Sequence, residues 1–390
     1  MAWLVGALVL LSLNLRSHLA ALAPLLDDVR ADLGLTAWAA GLVTTLPILC
    51  FAVGSAVVPR VAARLGTDRA VLVSLAVITV AVAVRPWGGT ALLLGGTVVL
   101  GLAITVGNVL VPVVTARDFP GRVPLMTSVA SATFTGGAAL AAALAVPIAA
   151  MIGWRAGSAA WAGLGLLGLA AWWWVHRGPG PAPAPRAAAS GSLARSGTVW
   201  ALAGYFGLQS ALYYAVTTWL PTYLRETGGM TPEGAGVAMS VYQLVGIAGA
   251  LLTPVAVRAR IGTPGRVGAA AGVVWSVALV ALLVAPGHGL WWGAVAGVSQ
   301  GIGFTTALLL IAAHGREVAS ASGLSALVQG IGYVIGACGP FLVGAVYGAV
   351  GWGWALTVLV AAAAGMVVLA PLAARPLGRS PRPAVPGVVS

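Results

Sequence analysis

The stretch L-V-L-L-S-L-N-L-R-S-H-L-A-A-L-A-P-L-L, Leu8 to Leu26, is apolar and long enough to span a bilayer, yet it contains Asn14, Arg16 and His18. Arg16 would lie near the bilayer centre, where a guanidinium costs at least about 2.5–3.5 kcal/mol and cannot lose its charge. A helix that faces lipid would not keep such a residue. Arg16 therefore either faces an aqueous interior or is bound to other helices, and the other helices of the chain have to form that environment.

The composition indicates a polytopic membrane protein. Charged residues make up 7% of the 390 residues and hydrophobic residues 60%, whereas a soluble domain has about 25% charged residues. All 20 basic residues are Arg, and the absence of Lys excludes a P-loop nucleotide site. Cys50 and Cys338 stand alone in apolar segments and the four His are scattered, so we expect no disulfide, metal or other cofactor.

Twelve apolar runs of helical length predict twelve membrane-spanning helices. They cover residues 3–26, 37–58, 70–87, 91–115, 124–148, 156–175, 199–223, 234–257, 267–286, 290–312, 322–346 and 353–373. A Pro-, Ala- and Gly-rich break divides them into six and six. We therefore expect a six-helix bundle over 1–176, a cytoplasmic linker over 177–198, a second bundle over 199–374 and a disordered cytoplasmic tail over 375–390.

The arginines are distributed unevenly between the breaks. The odd-numbered breaks carry four: Arg30, Arg85, Arg155 and Arg225. The even-numbered breaks and the tail carry 15: Arg60, Arg64, Arg69, Arg117, Arg122, Arg177, Arg186, Arg195, Arg258, Arg260, Arg266, Arg316, Arg375, Arg379 and Arg382. This bias predicts that both termini are cytoplasmic in a multi-pass protein of the cell inner membrane. It also explains the net charge of +12 as a topology signal that favours anionic lipid headgroups, and nucleic acid is not an expected partner.

The two halves resemble each other at an offset of 195 residues, which places Asn14 on Gln209 and His18 on Tyr213. At an offset of 194, Arg122 falls on Arg316. Because six helices separate the repeats, both repeats begin on the same side of the membrane. This predicts two parallel halves related by an axis along the membrane normal. Transporters of this design hold their cargo at the interface between the halves, which rock to expose it to each side in turn.

Mid-membrane polar side chains are the candidate substrate contacts: Arg16, Asn14, His18, Asn108, Gln209, Tyr213, Gln300, Gln329 and Tyr333. All eight acidic residues lie in loops or at helix ends, so the interior has no carboxylate to attract a cation. Packing remains the alternative for each candidate. For Arg16 it would mean bonds to carbonyls or to Asn108, and for His18, which is also a candidate proton carrier, it is the favoured reading. Gln243 is expected to join helices.

One geometric conflict remains within the first helix. Asn14 and His18 share a face, and Arg16 lies about 200° round a regular helix from Asn14. Both faces cannot point straight into one cavity, although Pro24 can kink the helix and a long Arg side chain can reach sideways.

Several motifs in order resemble the cyanate permease and 2-nitroimidazole transporter branch of the major facilitator superfamily. They are Asn14-Leu15-Arg16, G-L-V-T-T-L-P from Gly41, G-N-V-L-V-P from Gly107, Arg117-Asp118-Phe119-Pro120, Phe206-Gly207-Leu208-Gln209-Ser210, Tyr213-Tyr214 and Trp219-Leu220-Pro221. The resemblance implies an all-α fold of two six-helix pseudo-repeats and a transport function.

The loop between the second and third helices departs from that superfamily's G-x-L-A-D-R-x-G-R pattern. Ala63 replaces the Asp, while Arg64, Gly66 and Arg69 remain, so Asp68 or Asp118 would have to take over in this gating loop. The fifth helix also lacks the G-P signature of drug/proton exporters.

The sequence therefore predicts a monomeric secondary transporter, not an enzyme, for a small anion, a weak acid or a neutral polar solute, with protons as a candidate coupling ion. The alternatives are an exporter of drugs or nitroaromatic compounds and, more remotely, a membrane sensor that does not transport. An intramembrane enzyme is not expected, because no nucleophile–base, metal-ligand or paired-carboxylate arrangement lies at membrane depth.

Overall fold

The computed structural model describes residues 1–35, 37–177, 193–258, 262–318 and 320–377, and within these ranges the chain is helical without β-strands. The helices are α1 (Ala2–Asn14), α2 (Ser17–Ala20), α3 (Leu26–Leu33), α4 (Ala37–Gly54), α5 (Val58–Leu65), α6 (Thr67–Val84), α7 (Gly89–Asp118), α8 (Val123–Ala160), α9 (Ala162–His176), α10 (Gly197–Glu226), α11 (Pro232–Arg258), α12 (Pro264–Val284), α13 (Gly289–Gly315), α14 (Ala321–Val350) and α15 (Trp352–Ala373). Residues 178–192 of the predicted linker and 378–390 of the predicted tail lie outside the described residues.

Twelve membrane spans account for these helices. Nine helical stretches among the described residues are long and apolar enough to cross a membrane. One of them, Val123–His176, has 54 residues, too many for one crossing at about 1.5 Å per residue, and Gly153 (φ +81°) divides it into two spans. The pair Leu46–Gly54 and Val58–Leu65, bent by 62°, adds one span, and the less apolar α10 adds another. The predicted fold class is thereby confirmed.

The first span is broken, whereas the sequence predicted one helix over residues 3–26. Helix α1 ends at Asn14, and Arg16 has a non-helical backbone (φ −128°, ψ −32°) before the short α2. Side chains contribute to the break, because Asn14 Nδ2 donates to the Leu10 carbonyl (2.8 Å) and Ser17 Oγ donates to the Leu13 carbonyl (2.7 Å). A 3-10 turn at Ala23–Leu25 follows, as expected around Pro24.

The two halves meet in the middle and at one end of the molecule. Ser325 Oγ donates to the Val109 carbonyl (2.7 Å), and Arg316 donates to the Pro120 carbonyl (3.4 Å). A Cβ on Gly330 would lie 3.2 Å from Ser55 Cβ, so α14 and α4 approach closely there. This end carries the even-numbered, arginine-rich breaks and is called the Arg-rich end below.

Candidate functional site

A small cavity lies between the halves near the middle of the spans. It is lined by Arg16, Phe134, Thr135, Gln209, Ser210, Tyr213, Tyr214, Gln300 and Phe304. Its volume is about 10 Å³, room for roughly one water molecule. The first helices of both halves, α8 and α13 therefore enclose one chamber, which has to enlarge before it can hold a solute.

The backbone break directs Arg16 into this cavity. With α1 interrupted after Asn14, Arg16 no longer has to follow the α1 helical rotation, and its partly buried side chain points at the C-terminal half. Its guanidinium carbon lies 5.7 Å from the centre of the Tyr213 ring and 5.8 Å from that of Phe304. Both distances are within the range of cation–π attraction. Of the three polar residues in the first span, only Arg16 lines the cavity, so the predicted conflict with the Asn14/His18 face does not arise.

Arg16 has neutral neighbours. The hydroxyls of Tyr214 and Tyr333 are within its hydrogen-bonding range, and its buried Nε atom has no hydrogen-bond partner among the described residues. No salt bridge to Arg16 is found in the described ranges; Asp32, Asp68 and Asp118 pair with other arginines, and Glu317 lies near His314. The cavity therefore presents a positive charge, one unused N–H group and aromatic faces.

Further unpaired polar atoms belong to cavity-lining residues. Gln209 Nε2 and Gln300 Oε1 are buried without partners in the described part of the chain. Tyr213 is held from behind by Gln243, whose Nε2 donates to its hydroxyl (3.3 Å). Gln243 thus joins α11 to α10, the role expected from the sequence. Gln209 and Gln300 are free to bond a solute.

Asn14 and His18 lie inside the N-terminal half, away from the residues that line the cavity. Asn14 Nδ2 also donates to the Leu164 carbonyl (3.1 Å), so its amide oxygen accepts from His18 Nε2 (2.8 Å). Both side chains are almost fully buried. The expectation that they contact cargo does not fit this arrangement; the packing alternative does.

Arg85 is a buried cation that the sequence interpretation assigned to an outer loop. It is 2% exposed in the 3-10 turn Arg85–Trp87, and its Nη2 donates to the His18 carbonyl (2.8 Å). This bond supports α2 just beyond the break. The sequence signal was weak, because an Arg before Pro86 at the end of an apolar run looks like an ordinary interfacial residue.

Asn108 and Gln329 join the halves on the Arg-rich side of the cavity. Gln329 Nε2 donates to the Asn108 carbonyl (3.0 Å) and to Ser325 Oγ (2.9 Å). Neither residue lines the cavity. Tyr333 does not line the cavity either; its ring lies 5.2 Å from those of Phe51 and Phe206, and its hydroxyl is within hydrogen-bonding range of Arg16. These positions favour a role in closing the site for Asn108 and Gln329.

The predicted gating loop is anchored through Asp68. Arg117 donates to both Asp68 oxygens (2.7 and 3.0 Å) and also pairs with Asp118. His176 Nε2 lies 3.6 Å from Asp68 and 3.5 Å from Asp118. Gly66 has φ +80°, which allows the turn between α5 and α6. This cluster joins the ends of α6, α7 and α9.

The two remaining residues of the predicted gating loop, Arg64 and Arg69, are exposed.

Sequence reasoning did not select Phe134, Thr135, Ser210, Tyr214 or Phe304 as cavity residues. Ser210 and Tyr214 lie in the motifs that carry the family resemblance, directly after the selected candidates Gln209 and Tyr213. That adjacency was the sequence signal that could have identified them. Phe134 and Phe304, whose rings are 5.9 Å apart across the halves, gave no signal, because an apolar residue in a membrane helix looks the same whether it faces lipid, core or cavity.

Comparison with known proteins points to one family. The model for the Major Facilitator Superfamily matches residues 2–337. The chain is 32% identical to an uncharacterized transporter, YycB, from Bacillus subtilis over 92% of this chain and 90% of that one. It is 32% identical to the 2-nitroimidazole transporter of Escherichia coli (89% of each chain). It is 29% identical to the cyanate transport protein CynX of Escherichia coli (86% and 88%).

A solved structure shares the fold. The human organic anion transporter MFSD10 superposes with a TM-score of 0.76 at 14% identity, covering 95% of this chain and 99% of that one.

Proposed function

Because the chain belongs to the major facilitator superfamily and is a membrane transporter, we propose that it moves a small anion, a weak acid or a neutral polar solute by alternating access, with Arg16 as the main contact. The observation that carries this proposal is the Arg16 guanidinium, which faces a cavity between the halves without a carboxylate partner in the described ranges.

Electrostatics favours an anionic or acceptor-rich cargo. A partly buried cation gains about 0.5–2 kcal/mol from an aromatic face, and a charge-assisted hydrogen bond to a bound anion would add to this stabilisation. Gln209 and Gln300 supply neutral hydrogen-bonding groups beside the charge. A cation would meet repulsion here, and a purely apolar solute would leave these groups unpaired.

The names of two relatives support this class of cargo. Cyanate is a small anion, and the nitro group of a 2-nitroimidazole accepts hydrogen bonds. The aromatic residues Phe134, Phe304, Tyr213 and Tyr214 suit a flat ring as well. An exporter of nitroaromatic compounds therefore remains a second candidate. It is distinguished by whether expression in cells confers resistance to such a compound or sensitises the cells to it.

The contacts between the halves support alternating access. Three hydrogen bonds join the halves on the Arg-rich side of the cavity, Arg316–Pro120, Ser325–Val109 and Gln329–Asn108, in addition to the contacts of Arg16 with Tyr214 and Tyr333 at the cavity itself. By the positive-inside bias that side is cytoplasmic. These bonds would hold the cytoplasmic side closed, and breaking them would open a cytoplasmic route to Arg16.

The test is ligand binding to the purified protein with Arg16 varied. Thermal stability should rise with cyanate, nitrate, formate, benzoate or 2-nitroimidazole, because a ligand of the folded state stabilises it by mass action. Arg16→Ala should weaken the binding of the effective compound by about 10- to 100-fold, as expected for the loss of a charge-assisted hydrogen bond. Arg16→Lys should retain part of the affinity.

Arg225→Ala, which removes an exposed arginine at the end of α10, is the matched control and should bind normally. Equal binding by the wild type and a folded Arg16→Ala protein would reject the proposal.

A further inference from the structure

We propose that this transporter is an anion exchanger: Arg16 crosses between its two exposed states readily only when an anion accompanies it, so one-way net transport is much slower than exchange. This inference rests on the proposed function. It concerns how the site returns after releasing its cargo, which the identity of the cargo does not determine.

The first step is the fixed charge of the empty site. Arg16 cannot be deprotonated at any physiological pH. The residues that share its cavity are neutral: Thr135, Gln209, Ser210, Gln300 and the aromatic side chains. The empty site therefore carries one net positive charge, which is lowered in energy only by ring faces and hydroxyl dipoles.

The second step is that no described acid is available to neutralise it. Asp32 binds Arg155 and Trp154, while Asp68 and Asp118 share Arg117. Glu226 accepts from Tyr347 and Trp352 at the far end of α10.

The remaining described acids are not placed to neutralise Arg16 either. Glu317 lies 3.7 Å from His314 at the end of α13, and Asp28 is exposed. Using Glu317 would require breaking its contact with His314, and Asp28 lies on the surface, outside the residues that line the cavity.

The third step is that a proton cannot do the work of an anion. The nearest histidine, His18, lies on the N-terminal side and bonds Asn14. Protonation of His18 would add a second positive charge beside the buried Arg85, which binds its carbonyl oxygen. Proton coupling at these residues would therefore increase the charge that has to be moved.

The last step concerns the passage between the two exposed states. Alternating access requires an intermediate that is closed at both ends, in which water leaves the site and electrostatic energies increase. The structure already shows a chamber with room for about one water. An empty site would pass this point with an uncompensated charge, whereas a bound monoanion makes it neutral. Exchange of one anion for another avoids the charged passage in both directions.

The experiment measures efflux of labelled cyanate from proteoliposomes that contain the full chain, at pH 8, with the leak of protein-free liposomes subtracted. Equal potassium on both sides with valinomycin prevents net efflux from building up a membrane potential, and the external buffer contains either potassium gluconate alone or potassium gluconate with unlabelled cyanate. We expect efflux to be at least about tenfold faster with external cyanate. We also expect the exchange rate to be unchanged when a potassium gradient with valinomycin imposes a membrane potential.

Two variants test whether the charge is the cause. Arg16→Lys keeps a cation at this position, although lysine holds its charge less firmly than arginine, and should keep part of the stimulation by external cyanate. Arg16→Gln removes the charge, and any residual cyanate efflux should run at the same rate with or without external cyanate. A tenfold stimulation that persists in Arg16→Gln would overturn the proposed cause.

The remaining outcomes separate the two proposals. If cyanate stabilises the protein in an Arg16-dependent way but leaves the vesicles equally fast into both buffers, the exchange proposal fails and the proposed function stands. If nitrate, formate, benzoate and cyanate all fail to bind or move, both fail.

Discussion

The first helices of the two halves occupy equivalent places in the pseudo-repeat, but they differ in the middle of the span, where the cavity lies. Helix α10 runs unbroken from Gly197 to Glu226, whereas its counterpart stops at Asn14 and resumes at Ser17. In the intact helix, Gln209 lines the cavity and Ala211 packs against α14, where a Cβ on Gly339 would lie 2.8 Å from the Ala211 Cα. A regular helix thus gives the cavity to position 209 and the packing face to position 211.

The broken helix exchanges these two faces. At the repeat-equivalent positions, Asn14 packs inside its own half and Arg16 enters the cavity. A long cation at the position of Ala211 would have no room against Gly339. The comparison shows that the break allows one half to offer a charge where the other offers only amides and hydroxyls.

The largest effect on stability and anion binding should come from making the N-terminal half resemble the C-terminal half at the loop after α6. Arg85-Pro86-Trp87-Gly88-Gly89 corresponds to Ala285-Pro286-Gly287-His288-Gly289, and both begin 3-10 turns after an apolar helix. In the half with the broken helix, Arg85 binds the His18 carbonyl. The C-terminal half has Ala285 at the corresponding position.

Arg85→Ala should therefore destabilise the protein by about 1–3 kcal/mol, because a buried carbonyl loses its charged donor. It should also weaken anion binding by releasing the break that directs Arg16. Thermal unfolding and ligand-induced stabilisation measure the two effects, with the exposed Arg225→Ala as the matched control. An Arg85→Ala protein with wild-type stability and affinity would show that the break supports itself.

An intermediate effect should separate the paired positions 14 and 209. Asn14→Leu leaves the buried Nε2–H of His18 without its acceptor and should cost about 1–2 kcal/mol of stability. Gln209→Leu removes an amide whose Nε2 has no partner in the described part of the chain, so stability should hold. The affinity for the effective anion should instead fall by up to about tenfold, as expected for one neutral hydrogen bond.

Unfolding temperature and affinity are measured on both proteins. If Asn14→Leu affected only affinity and Gln209→Leu only stability, the assignment of the two faces would be reversed.

The sequence predicts most of the fold because membrane spans depend on local properties. Runs of apolar residues, the arginine bias and the 195-residue repeat predict twelve helices in two halves. The break after Asn14 was not predicted, since side-chain bonds to the preceding turn such as those of Asn14 and Ser17 also occur in unbroken helices, and the support of α2 by Arg85 comes from elsewhere in the chain. A local reading sees only Asn, Ser and Pro, which membrane helices often tolerate.

The candidate site was predictable to the extent that its members are unusual. Arg16 stands out because a charge at that depth requires an explanation. The pairing of Asn14 with His18 on one face was predicted correctly, but the direction of that face was inferred from the 195-residue repeat, which aligns Asn14 with Gln209, and the two positions differ in direction. Phe134 and Phe304 could not be recognised, since only the three-dimensional packing shows which apolar side chains meet across the halves.

The smallest effect should come from an acid–indole contact that both halves keep at the end opposite the Arg-rich end. Trp154 Nε1 donates to Asp32 (3.0 Å) after Gly153, and Trp352 Nε1 donates to Glu226 (2.8 Å) after Gly351. The second partners of the two acids differ. Asp32 also pairs with the charged Arg155, whereas Glu226 accepts from the neutral Tyr347 hydroxyl (2.6 Å).

Asp32→Asn should lower stability by no more than about 1 kcal/mol, because the pair with Arg155 is partly exposed. Its deficit relative to the wild type should shrink in 0.5 M salt, which screens surface ion pairs. Glu226→Gln should lower stability slightly too, but its deficit should change less with salt, because the hydrogen-bond donors to Glu226 carry no charge and its attraction to Arg225 is the weakest of its interactions. The unfolding temperatures of the wild type, Asp32→Asn and Glu226→Gln, measured at low and at high salt, test this difference. Equal salt responses of the two variants would mean that the contacts work alike in both halves despite their different partners.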